Sequence, residues 1–261
     1  LAQKRLGSKV VYQTDEFFAK ANRITESAEP IFIPNKFDMH GKWMDGWETR
    51  RKRSKGHDYL IIRLGKKGII SKINIDTTHF NGNQPSFASI EACYNKKNIP
   101  TRETKWKTIL NKKKIKPNTH NIFLINNRSV FTHIKLNIFP DGGVARLRLY
   151  GEITTDKTSF DKKTINLSSL LNGASIIACN NEHFGKAENI LAPGKSKNMG
   201  DGWETRRSRG KNFDWIILKC VSGQINNIQI DTHHFKGNYP DMCSVQAAYL
   251  NGKKNTKSII S

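Results

Sequence analysis

A seven-residue segment occurs twice in this chain without a change. Asp45-Gly46-Trp47-Glu48-Thr49-Arg50-Arg51 returns as Asp201-Gly202-Trp203-Glu204-Thr205-Arg206-Arg207, 156 positions later. That interval is domain-sized, far above a solenoid period, so the chain has to fold as two related domains. Packing alone rarely needs Asp, Glu and paired Arg so close together. The duplicated cluster is therefore the first place to look for chemistry.

The match extends on both sides. Ile75-Asp76-Thr77-Thr78-His79-Phe80-Asn81-Gly82-Asn83 aligns with Ile230-Asp231-Thr232-His233-His234-Phe235-Lys236-Gly237-Asn238. Upstream, Glu16-Phe17-Phe18-Ala19-Lys20-Ala21 aligns with Glu182-His183-Phe184-Gly185-Lys186-Ala187. The first copy continues through Phe139-Pro140-Asp141-Gly142-Gly143 and Arg146-Leu147-Arg148-Leu149; no second version of these follows. By the spacing of the first copy the second lacks about 45 to 50 residues. With Leu rather than Met at position 1, the sequence reads as a fragment of a longer protein. Boundaries are expected at 1–155 for the first domain, 156–164 for a linker and 165–261 for the second.

Short apolar runs with Gly and Pro punctuation point to strands. Residues 59–64 and 69–75 flank a Gly-Lys-Lys-Gly turn and read as a hairpin. Ile134, Leu136 and Ile138 alternate with polar residues, as do Ala145, Leu147 and Leu149 with Arg146 and Arg148. Pro140-Asp141-Gly142-Gly143 has hairpin-turn chemistry. Residues 15–24 have room for one short helix with Asp15 as N-cap. The expected class is all-β, with one β-sandwich per copy. A hairpin over 59–75 would bring the loop before it and the loop after it to one end of the sheet. That step makes one site of the two motifs.

The formal charge of +22 invites a nucleic-acid reading. Lysines outnumber arginines 31 to 13 and fall in short runs such as Lys112-Lys113-Lys114. Such runs read as solvated loops, so nucleic acid is not an expected partner, although a basic field attracts small anions. Cys93, Cys179, Cys220 and Cys243 have no CxxC spacing and do not coincide between copies. A metal or disulfide framework should repeat with the domain, so free thiols in a reducing, cytoplasmic setting are expected. No apolar run approaches a bilayer span.

Arg50, Arg51, Arg206 and Arg207 offer planar forks for a carboxylate or ureido oxygen, or else pair with neighbouring acids. Glu48 and Glu204 suit general acid or base work, or else satisfy those same arginines. Asp45-Gly46 and Asp201-Gly202 are turn signals first. His79 and His234 each follow an Asp three residues earlier, Asp76 and Asp231, and suit proton transfer at neutral pH. A divalent metal remains open. Only one Asp and one His recur per copy, so Glu48 or Asp45 would have to be the third ligand.

These segments, with Thr14-Asp15-Glu16-Phe17-Phe18 and Gly41-Lys42-Trp43-Met44 before the first heptad, resemble the allantoicase family over nearly the whole chain. The resemblance implies two tandem jelly-roll sandwiches of the galactose-binding-like kind, the second C-terminally incomplete. It also implies a hydrolase that splits allantoate into ureidoglycolate and urea in purine breakdown, and a homo-oligomer. The expected site comprises His79, His234, Glu48 and Glu204 as catalytic groups. Arg50, Arg51, Arg206, Arg207, Asp76 and Asp231 are the expected substrate contacts. The competing class is a non-catalytic sandwich that binds a small ligand or a polyanion.

Overall fold

The computed structural model describes residues 1–154, 164–208, 210 and 212–250. The chain divides into two compact units, Leu1–Thr155 and Asp156–Ser261. The expected linker at 156–164 lies, apart from residue 164, outside the described residues. No helix among the described residues is long and apolar enough to cross a membrane. Among the described residues short 3-10 turns interrupt the strands, and a small separate ribbon pairs β2 (Phe37–Asp38) with β3 (Gly41–Lys42).

The first unit is a two-layer β-sandwich of the jelly-roll type. One layer runs in the order β1 (Lys9–Gln13), β5 (Asp58–Asp76), β9 (Val130–Phe139), β6 (Phe87–Cys93), β7 (Lys107–Lys114). The other is formed by β8 (His120–Leu124) and β11 (Arg146–Ile153) on either side of the second half of β5. Ile134, Leu136 and Ile138 are fully buried between the layers, as their alternation predicts. They meet Leu60, Ile62, Ile73 and Ile75 from β5 in one core that also takes in Trp47.

Residues 59–64 and 69–75 do not form the expected hairpin. They are two halves of the single strand β5, and the halves do not pair with each other. The first half pairs with β1 and β9, the second with β8 and β11, with β9 reaching across the corner to Gly68 and Ile69. The register shifts between Arg63 and Gly68, where the chain turns the corner from one layer into the other. Gly65 is required there because a Cβ would lie 1.9 Å from the Leu6 carbonyl oxygen. Segment 140–143 is likewise no hairpin turn. It carries the chain from β9 in one layer to β11 in the other. On the way β10 (Gly143–Val144) pairs with β4 (Trp47–Glu48).

The expected helix over 15–24 is replaced by a 3-10 turn over Ala21–Thr25. Asp15 Oδ1 instead accepts from the Phe17 N–H at 2.9 Å, a local Asx turn. Arg146 and Arg148, read as the polar face of their strand, are buried at 1% and 7% exposure. The loop over residues 27–29 covers them and supplies carbonyls to both. Arg146 also donates to the Asp45 carboxylate at 2.8 Å and the Asp45 carbonyl at 2.9 Å.

In the second unit β12 (Ser175–Cys179) pairs with β13 (Ile216–Lys219) in the register of β1 against β5, including the same irregularity. Among the described residues no strand follows Lys219. Segment 223–249 aligns with the second half of β5 and with β6. In the first unit those strands are held by β8, β9 and β11, and residues 164–250 contain no second version of β9 or β11. An unpaired strand has no ladder to hold it. All four cysteines are free thiols, and burial pushes Cys93 up to about 11.

Removing one partner of a buried ion pair leaves the other charge desolvated and costs about 3–5 kcal/mol. Arg146→Met should lower the unfolding free energy of the first unit by an amount in that range, read from urea titrations followed by tryptophan fluorescence. Asp45→Asn, which keeps the acceptor oxygen, should lower it less.

Candidate functional site

The two repeated motifs meet at one end of each unit. Gly46 makes the first contact: a Cβ there would lie 2.6 Å from the Val144 carbonyl oxygen and 2.9 Å from the Phe80 ring. Gly202 stands in the same relation to Phe235, at 2.6 Å. The glycine after each Asp is thus fixed by the close approach of the Phe in the other motif. The indoles are fixed in parallel ways, with Trp47 Nε1 donating to the Asp15 carbonyl and Trp203 Nε1 to the Asn181 carbonyl, both at 2.7 Å. Trp47 is entirely buried and Trp203 partly so.

A side-chain bond then joins the motifs directly. Asn83 Nδ2 donates to Glu48 Oε1 at 2.8 Å, and Asn238 Nδ2 to Glu204 Oε1 at 2.6 Å. Each glutamate also holds a backbone bridge to the upstream segment, Glu48 to Ala19 and Glu204 to Gly185. Burial raises the Glu48 carboxyl above the ordinary glutamate value, and the Asn83 bond opposes that rise. Asn83 and Asn238 end the Gly-Asn of the second motif. Their signal in the sequence was recurrence at a fixed distance from the histidine.

His79 and His234 both adopt left-handed backbone conformations, with φ of 70° and 75°. Non-glycine residues there are uncommon, and His is among the few enriched. Asn118 Oδ1 accepts from the His79 N–H at 2.8 Å and holds the first of them. His79 Nε2 lies 3.2 Å from the Pro30 carbonyl, and His234 Nε2 lies 3.1 Å from the Ser196 carbonyl. A carbonyl only accepts, so Nε2 carries a proton in both copies, and in the neutral ring the lone pair is on Nδ1.

The arginines divide. Arg50 is held by Asp15, through Nε at 2.7 Å and Nη2 at 2.6 Å, and its guanidinium lies 5.2 Å over the Phe17 ring. Asp15 in turn sits below its ordinary value through bonds from Phe17 and Arg50, against the opposing effect of burial. In the second copy Asn181 replaces Asp15 and His183 replaces Phe17. Arg206 keeps the backbone bond to Asn181 Oδ1 and reaches His183 Nδ1 at 3.4 Å, with no carboxylate partner among the described residues. Arg51 and Arg207 are exposed and have no hydrogen-bond or ion-pair partner among the described residues.

Asp45 is taken up by Arg146 and by the Ile31 N–H at 3.0 Å, a structural role. Asp76 is fully buried, while Asp231 is exposed and accepts from the His233 N–H at 2.8 Å. Each copy therefore presents a glutamate tied to an asparagine, a histidine with a free ring nitrogen, and at least one unpaired guanidinium.

A protein-family model described as "Allantoicase repeat" matches residues 1–154 and 165–260. A protein of Acinetobacter baumannii (strain SDF) named "Probable allantoicase" is 50% identical over 260 residues, 99% of this chain and 77% of that protein. A Photobacterium profundum protein of the same name is 47% identical over 255 residues, 97% of this chain and 77% of that protein. The crystal structure of an allantoicase from Saccharomyces cerevisiae is similar at a TM-score of 0.71 and 36% identity. The likeness covers 84% of this chain and 67% of that one.

Glu48→Gln isolates the effect of burial on that carboxyl. The folded value is raised, so folding is favoured by the proton, and that contribution is lost as pH climbs from the unfolded value through the folded one. Below about pH 4 the variant and the parent should melt together. Above that the variant should melt progressively higher, reaching a plateau once pH passes the folded value. Melting curves from pH 3.5 to 7.5 measure the difference, and a constant offset across that range contradicts the assignment.

Proposed function

The chain belongs to the allantoicase family, and we propose that the glutamate–histidine–arginine cluster repeated in its two units is where allantoate is bound and cleaved. The family's reaction is hydrolysis of allantoate to ureidoglycolate and urea. Allantoate carries a carboxylate and two ureido groups on one carbon. Its cleavage needs a cation for the carboxylate, an acid for the departing nitrogen and a base for water.

Arg51 in the first unit, and Arg206 with Arg207 in the second, take the carboxylate and orient the central carbon. Arg50 is withheld from this role by Asp15. Glu48 and Glu204 act as the acid; the raised value at Glu48 keeps its proton available nearer neutral pH. A proton from the carboxyl goes to the leaving ureido nitrogen as the carbon–nitrogen bond breaks. The remaining ureido nitrogen supports the imine-like centre, and water adds to that carbon. Nδ1 of His79 or His234 takes the proton from the water. Asp231, exposed beside His234, accepts from ureido N–H groups; Asp76, sealed from solvent, does not reach them.

One observation carries this reading. The Glu48–Asn83 and Glu204–Asn238 bonds fasten the acid motif to the histidine motif in both units. We also infer a cytoplasmic, homo-oligomeric protein that leaves nucleic acid alone. Free thiols support the compartment, the exposed Lys112-Lys113-Lys114 run supports the last point, and the oligomer rests on the family resemblance alone.

Urea release at saturating allantoate tests the assignment. Positioned acid–base groups contribute about 100- to 10,000-fold, so Glu48→Gln or Glu204→Gln should lower kcat by at least about 100-fold in the unit that turns over. Arg51→Ala or Arg207→Ala should act mainly on KM. Unchanged turnover in both glutamate variants would remove the cluster from the mechanism.

A further inference from the structure

We propose that Glu29, Asp76 and His120 of the first unit form a binding site for one divalent transition-metal cation, of the Mn2+ or Zn2+ class. Their ligand atoms lie within 4.8 Å of one another. The site draws on none of the residues assigned to turnover above, so it stands or falls separately.

The strand register builds it. Asp76 of β5 lies directly opposite His120 of β8, and Asn74, two residues back, shares its face. Asp76 is fully buried. Its Oδ1 accepts from the Thr78 N–H at 2.9 Å and the Thr78 hydroxyl at 2.6 Å. Its Oδ2 has no hydrogen-bond partner, and neither does Asn74 Oδ1 beside it. A buried carboxylate oxygen without a donor is costly.

The nearest ring nitrogen does not supply that donor. His120 Nδ1 stands 3.7 Å from Asp76 Oδ2 and receives the Asn74 amide at 2.9 Å. As an acceptor Nδ1 spends its single lone pair on the Asn74 amide and has no proton for Asp76. A cation held by Asp76 Oδ2 and His120 would displace that amide from Nδ1. Glu29 closes the third side; Arg148 holds its Oε1 at 3.0 Å and leaves Oε2 for the ion.

Metal–ligand bonds of about 2.1 Å call for closer spacing than the present one. The Glu29 and His120 side chains are 72% and 49% exposed, so rotation can close the site. Two carboxylate oxygens and one imidazole suit Mn2+ or Zn2+, with water completing the shell. His79 and Glu48, the partners that sequence spacing suggests for Asp76, are engaged elsewhere. The second unit does not repeat the site, because Lys195 stands where Glu29 does.

The full chain, stripped with a chelator and dialysed, should be titrated with Mn2+ and followed by loss of the free-ion electron paramagnetic resonance signal, with Zn2+ as competitor. The expected result is one ion per chain. Binding should weaken at least tenfold in His120→Gln and in Glu29→Gln. His120 is half exposed and Glu29→Gln keeps an acceptor oxygen for Arg148, so these variants should fold, which circular dichroism checks; Asp76→Asn provides the buried counterpart. No binding of either ion overturns the proposal. Binding that the two surface variants leave unchanged places the ion elsewhere and equally overturns it.

Discussion

Residues 140–145 tie the first unit together at the end where the site lies. The Pro140 carbonyl accepts from the Asp58 N–H at 3.0 Å, and the Ala145 N–H donates to the Asp76 carbonyl at 2.8 Å. Those are the two ends of β5, the strand shared by both layers. Between them, the Gly142 carbonyl takes the Thr49 N–H and the Gly143 N–H reaches the Asn83 carbonyl. One short connection thus fixes the end of each repeated motif and the strand between them. Backbone bonds of this kind are hard to exchange for water once buried. The crossing thus braces the backbone on both sides of the Glu48–Asn83 contact, a contact the second unit also makes between Glu204 and Asn238.

That crossing explains what the sequence reveals and what it conceals. The buried isoleucines and leucine of β9 follow from alternation alone, since a strand facing one core repeats every second residue. The convergence of the two motifs was also legible, although the hairpin proposed to cause it does not exist. Gly-Lys-Lys-Gly and Pro-Asp-Gly-Gly are turn-forming peptides. Turn chemistry reports a local change of direction, without saying whether the next strand pairs with the previous one or passes to the opposite layer. Both segments pass between layers. Arg146 and Arg148 misled for a related reason. Alternation marks them as outward from the core, which they are, but the loop over residues 27–29 covers that outer face and makes it a second interior.

Comparison of the copies separates framework from charge. Trp47 and Trp203 bond to backbone carbonyls, of Asp15 and Asn181, so the side chain at that place is free to differ without disturbing the indole. The difference falls on the neighbouring guanidinium. Asp15 neutralises Arg50, whereas Asn181 gives Arg206 only a neutral contact. Among the described residues the same backbone thus leaves one of the two heptad arginines without a carboxylate partner in the first unit and both in the second. The sequence showed identical heptads and could not show this, because the deciding residue lies some 35 positions upstream in space-filling contact rather than in the motif itself.

Electrostatics then assigns different work to the two kinds of basic residue. Among the described residues lysine runs such as Lys112-Lys113-Lys114 are exposed, and there each ammonium is hydrated and screened over about 10 Å. They raise the local concentration of any small anion without selecting one. Selection needs a planar fork beside an acid and a base, held where the fork cannot collapse onto a neighbouring carboxylate. In the first unit the acids closest to the arginines are already committed, Asp45 to Arg146 and Asp15 to Arg50. Glu48 is instead bonded to a neutral amide. Keeping that glutamate away from any guanidinium is what allows burial to raise its proton affinity, because an ion pair in the same position would have lowered it.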